Sequence, residues 1–121
     1  MESQTDPSLN GLFHAIFFQI AGIAVALVAN SANFAFILFA DTSGHEIALC
    51  VPILATALFT IVWGDATLQS QIANIKDAAI ETKNSHAYKY IATQPYSLLR
   101  LMNVVLAVAL AASQLSILFG G

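Results

Sequence analysis

The sequence predicts an all-α integral membrane protein, with three transmembrane helices and one amphipathic helix that is cytosolic or interfacial. Three observations predict it. Of 121 residues, 58% are hydrophobic and 9% are charged, whereas an ordinary soluble domain carries roughly 25% charged residues. Mean hydropathy is +0.75, and a soluble chain this small needs far more polar surface around its core. The apolar residues also fall into three stretches of spanning length, separated by short polar segments. The whole chain, residues 1–121, reads as a single membrane domain.

The first stretch runs from Leu12 to Ala40 without a charged residue. A 30 Å hydrocarbon core needs roughly 20 helical residues, so one long span over 12–38 is expected, tilted or extending beyond the core. Asp6-Pro7-Ser8 with Asn10 supplies a helix start, because Asp, Ser and Asn cap N-termini and Pro suits the first turn. Asn30, Ser31 and Asn33 interrupt the apolar run and predict a kink or an emergence point. The acidic opening residues lack the basic start of a secretory leader, so this stretch is expected to be a retained span.

Asp41-Thr42-Ser43-Gly44-His45-Glu46 is a polar turn. The second span is expected over 47–63, with Pro52 near its start, where proline costs less than in mid-helix, and Trp63 at the interface. From Gly64 the character changes. Leu68, Ile72, Ile75 and Ala79 recur at helical spacing among Gln69, Gln71, Asn74, Lys76, Asp77 and Glu81, which predicts an amphipathic helix over 65–83. It either continues the second span into water or bends at Gly64 onto the membrane. Tyr88, Tyr90 and Tyr96 are spaced like an interfacial aromatic belt, and Gln94-Pro95-Tyr96 restarts the chain. The third span is expected over 98–119, with Arg100 snorkelling to the headgroups.

All four Lys and Arg residues fall between Lys76 and Arg100: Lys76, Lys83 and Lys89 join spans two and three, and Arg100 stands at the start of span three. The positive-inside rule places that 64–97 segment and the N-terminus in the cytoplasm, and the C-terminus outside.

The totals also exclude functions. Disordered chains are poor in apolar residues and rich in charge. Four scattered cations cannot make a phosphate-binding surface, so nucleic acid is not an expected partner. Cys50 is the only cysteine, which rules out an intrachain disulfide. No phosphate loop, nucleophile setting or cofactor motif is present, and no cofactor is expected.

Polar side chains within or beside the spans are His14, Gln19, Asn30, Asn33, Asn103 and Gln114. Such groups face other helices, bonding across the bundle or lining a polar path; helix–helix bonding is the favoured reading. The first span and the apolar core of the second carry no Asp, Glu, Lys or Arg, which argues against proton-coupled transport. Small residues four apart, Gly11/Ala15, Gly22/Ala26, Ala107/Ala111 and Ala112/Ser116, allow close helix approach, within one chain or between copies. Asp41, His45 and Glu46 are weak candidates for a divalent metal; a solvated turn is the default.

Val62-Trp63-Gly64-Asp65 leading into Gln71-Ile72-Ala73-Asn74-Ile75 resembles the layout of small bacterial membrane proteins. The resemblance covers about a fifth of the chain, implies a bacterial inner membrane and carries no activity.

The sequence therefore predicts a non-enzymatic subunit or scaffold. It would sit in the lipid bilayer, assembled with copies of itself or with other membrane subunits, and Leu68, Ile72 and Ile75 would dock a cytosolic protein. Trp63, Tyr88, Tyr90, Tyr96 and Arg100 are expected as interface anchors. The alternative is a homo-oligomeric pore or membrane-perturbing effector, with span one lining the pathway.

Overall fold

A computed structural model describes residues 6–120; Met1–Thr5, read above for a leader, and Gly121 lie outside it. The described residues form helices and connections, with no strand among them. In order they are α1 (Pro7–Phe39), α2 (Glu46–Asp77), α3 (Ile80–Lys83), α4 (His86–Ala92) and α5 (Tyr96–Gly120). Three of them, α1, α2 and α5, are long and apolar enough to cross a membrane.

α1 starts where the capping residues place it. Asp6 is the N-cap, its carboxylate accepts the Ser8 N–H at 3.0 Å, and Pro7 takes the first helical position. The helix then runs unbroken to Phe39. The helix is not broken at Asn30–Asn33. Amides do not remove a ladder bond as proline does, and the Asn30 amide N–H bonds back to the Ala26 carbonyl at 2.8 Å.

The polar turn closes on itself. Gly44 adopts φ +84°, a left-handed conformation open to glycine at little cost. Asp41 accepts the Ser43 N–H and Glu46 accepts the Gly44 N–H, each at 3.0 Å.

Of the two courses left open after Gly64, continuation of the second span or a bend, α2 takes the first. It is one helix of 32 residues passing straight through Gly64. Residues 65–77 are its second half, and the 80–83 portion is the separate short helix α3. Glycine inside a helix costs only about 0.5–1 kcal/mol. At this site it also gives room: a Cβ on Gly64 would overlap the Asn103 amide of α5.

α2 is the central element. It packs along α1 on one side and along α5 on the other, while α1 and α5 meet over a shorter stretch. Beside the polar turn lies an apolar cluster of Ile37, Ile53, Ala111 and Leu118, with Phe34, Leu49, Cys50 and Leu115 against it. At the opposite end Leu12, Ala15 and Leu68 are buried.

Candidate functional site

An amide layer joins all three long helices. Gln114 of α5 is fully buried, at 0% exposure. Its Nε2 donates to Asn30 Oδ1 at 2.7 Å, and its Oε1 accepts from Asn33 Nδ2 at 3.4 Å. Asn33 Nδ2 also donates to Thr56 Oγ1 of α2 at 3.3 Å. The Thr56 hydroxyl in turn donates to the Pro52 carbonyl at 2.7 Å. In hydrocarbon an unpaired amide has no water to turn to, and these three side chains supply donors and acceptors to one another. The layer contains amides and a hydroxyl, none of which titrates in the physiological range, so its chemistry is to bind helix to helix.

Three further contacts fix the α1–α2 and α2–α5 seams. Gln71 Nε2, on the buried face of α2, donates to Gln19 Oε1 at 2.6 Å. Asn103 Nδ2 of α5 donates to the Thr60 carbonyl at 3.0 Å. Arg100 Nε donates to Asp65 Oδ1 at 2.6 Å, and its NH2 group donates to Oδ2 at 3.3 Å. That fork-to-carboxylate pairing is the strong geometry for an ion pair. It ties the start of α5 to α2, where the sequence suggested only a snorkelling cation. Gln69 also donates to Asp65.

Trp63 is seated against α1 while staying 37% exposed. Its Nε1 donates to the Phe18 carbonyl at 2.7 Å, and its ring stacks on Phe59 and meets Phe18 edge-on. Gly22 makes this possible, because a Cβ there would overlap the indole; Gly11 makes the same allowance for Asn74. Two of the four small-residue pairs thus contain a glycine seated against this chain's own α2.

The water-side end is held by a clasp around Asp6. Beyond capping α1, its Oδ2 accepts the Ala79 N–H at 2.8 Å and the Thr82 hydroxyl at 2.9 Å. Ser8 Oγ donates to the Asp77 carbonyl at 2.9 Å. These donors hold the Asp6 carboxyl below the ordinary carboxylate range, the Ala79 N–H contributing most. At the other end, the Ser43 N–H likewise lowers Asp41.

Several expected site residues fall elsewhere. Leu68 is 2% exposed, so it belongs to the bundle interior and not to a docking face. Ile72 and Ile75 lie on the same arc, half-buried. The chain's own helices occupy the apolar stripe that pattern alone would leave for a partner. Tyr88 is buried, and its hydroxyl donates to the Ile75 carbonyl at 2.5 Å, so it anchors α4 to α2 and does not face lipid. Tyr96 bonds the Ile91 carbonyl at 3.0 Å. Tyr90 stays exposed. His14 is exposed and lines a groove of about 380 Å³ with Gly11, Phe18, Trp63, Thr67 and Ser70. Asp41, His45 and Glu46 do not converge, and no metal-holding group of three His, Cys, Asp or Glu side chains occurs among the described residues.

Sequence reasoning missed Gln71, Thr56, Asp65 and the second role of Asp6. Gln71 had a signal, because it sits on the same buried arc as Leu68 and Ile75. Asp65 had none, since its partner is 35 residues away.

No family model, curated protein or solved structure matches this chain.

Proposed function

We propose that this protein is a non-enzymatic membrane component, a small subunit or scaffold that assembles through its helices with other membrane polypeptides or with further copies of itself. One observation carries the reading: the side-chain amides of the spans, Gln19, Asn30, Asn33, Asn103 and Gln114, are engaged in helix-to-helix bonding, led by the Gln114–Asn30–Asn33 layer. A transport path or catalytic centre needs groups held open for a passing ion or substrate. Here the strongest candidates bond one another.

The segment bearing Lys76, Lys83 and Lys89, with Arg100 at its edge, faces the cytoplasm, in keeping with the positive-inside rule, and the polar turn lies outside together with the C-terminus. A bacterial inner membrane fits the layout. A cytosolic partner, where one binds, meets the exposed Gln69, Ser70, Ala73 and Lys76 of α2.

The test is gentle extraction from the native membrane at native expression, followed by native mass spectrometry. The expected result is a defined assembly holding this chain with other polypeptides or with copies of itself. A lone chain carrying only lipid overturns the proposal. A ring of this chain alone that passes ions in liposomes replaces it with the pore.

A further inference from the structure

We infer that the apolar stripe Phe13–Phe17–Ile20 at the start of α1 is a lipid-binding surface, sunk in acyl chains at a height where α2 already faces water. The heights come from the packing. Gly11 lies against Asn74 and Gly22 against Trp63, so Phe13 and Phe17 stand beside the α2 residues between Trp63 and Asn74. At that height α2 presents Gln69, Ser70 and Ala73 to the outside. α1 presents Phe13, 41% exposed, and Phe17, 66% exposed.

Two arguments select lipid as the occupant. The first is continuity. At 100° per residue Phe13, Phe17, Ile20 and Leu27 share one face of α1, and Ile20 and Leu27 are themselves well exposed. The stripe therefore merges without a break into the face that the span presents to the bilayer. The second is length. Exposed large apolar residues on α1 extend from Phe13 to Phe39, and on α2 only from Ile47 to Trp63. At 1.5 Å per residue these are about 40 Å and about 25 Å, on either side of a core of about 30 Å. A bundle with one long and one short apolar flank matches the bilayer by local deformation, the lipid thickened along α1 and thinned along α2. No Lys or Arg occurs in α1 to hold its start at the headgroups.

The inference does not depend on the subunit reading, since it concerns how this chain meets the bilayer on its own. Single cysteines at Phe13, Phe17, Ser70 and Ala73 test it, each in a Cys50→Ser background, because Cys50 is the sole native cysteine. The full chain is spin-labelled and reconstituted in phosphatidylcholine–phosphatidylglycerol vesicles at high lipid-to-protein ratio. Relaxation by oxygen, which partitions into lipid, is compared with relaxation by a water-soluble nickel chelate. The expected result is several-fold stronger relaxation by oxygen than by nickel at positions 13 and 17, and the reverse at 70 and 73. Nickel reaching position 17 as readily as position 70 overturns the inference by placing the stripe in water. Shielding of 13 and 17 from both agents overturns it in favour of a second copy.

Discussion

The amide layer and the Asp6 clasp are built from similar bonds and sit in opposite solvents. Each ties α1 to distant parts of the chain through side chains that donate or accept at 2.7–3.4 Å in the layer and 2.8–3.0 Å in the clasp. The layer is centred on a fully buried Gln114, whereas the clasp is open to water. A hydrogen bond contributes little net stability where water can replace it, and much more where breaking it strands a group. The layer is therefore held chiefly by what its loss would leave unpaired. The clasp is held by geometry that water can imitate, and it sets where α2 ends and α3 begins.

The sharpest way to break this comparison is Gln114→Leu. It leaves Asn30 and Asn33 without their shared partner, at a cost of order 1–3 kcal/mol for each group that stays unpaired. Unfolding in mixed micelles should show the loss. Replacing Asn30, Asn33 and Gln114 together by Leu should restore most of it, because nothing is then stranded. A triple variant as unstable as the single one would contradict the account.

Next in size is Gly22→Ala. The new Cβ occupies the place of the Trp63 indole, and overpacking costs about 1–2 kcal/mol. Trp63 is the only tryptophan, so its fluorescence reports directly. Displacement from the Phe18 carbonyl should shift the emission maximum, and an unchanged spectrum would show that the seat is not tight.

Asp65→Asn should cost less, about 1 kcal/mol or under. The Arg100 and Asp65 side chains are 43% and 30% exposed, so water screens the cation when its partner is removed. The stability difference between wild type and variant should shrink as salt is raised; a difference insensitive to salt would place the pair in a drier setting than its exposure indicates.

The smallest effect belongs to the clasp. Asp6 is lowered in the folded chain from an ordinary value of 3.8. A lowered carboxyl contributes stability above its unfolded pKa, and that contribution disappears as pH falls through the folded value. Protection of the Ala79 amide should therefore hold at neutral pH and fade only below about pH 3.8. The Gln114 side-chain amide signals should not move over the same range. Simultaneous loss of both would mean that the two regions unfold as one.

The clasp also shows how far local sequence reaches. Asp6-Pro7-Ser8 marks the start of α1 from three residues, because capping is a local bond. The same carboxylate's bonds to Ala79 and Thr82 span 73 and 76 residues, and no local pattern carries that information. Leu68, Ile72 and Ile75 make the converse case. Their periodicity shows that the stripe is buried, and it is silent on whether the chain's own helices or another protein buries it. Trp63 reads as an interfacial anchor from its place at the end of a span; that its indole is also seated against α1 depends on the nearness of Gly22 and Phe18.

What the sequence determined by itself is the class of the protein and the sites of its helices: three stretches of spanning length, a capped start and a glycine turn. Those follow from sums and spacings along the chain, since hydropathy and capping act between near neighbours. The tertiary structure decided which faces meet. Gln114 pairs with Asn30 and Asn33 across 84 and 81 residues, α2 runs through Gly64, and Leu68 faces inward. Each depends on the rotation and height of one helix against another, which the packing of whole surfaces sets.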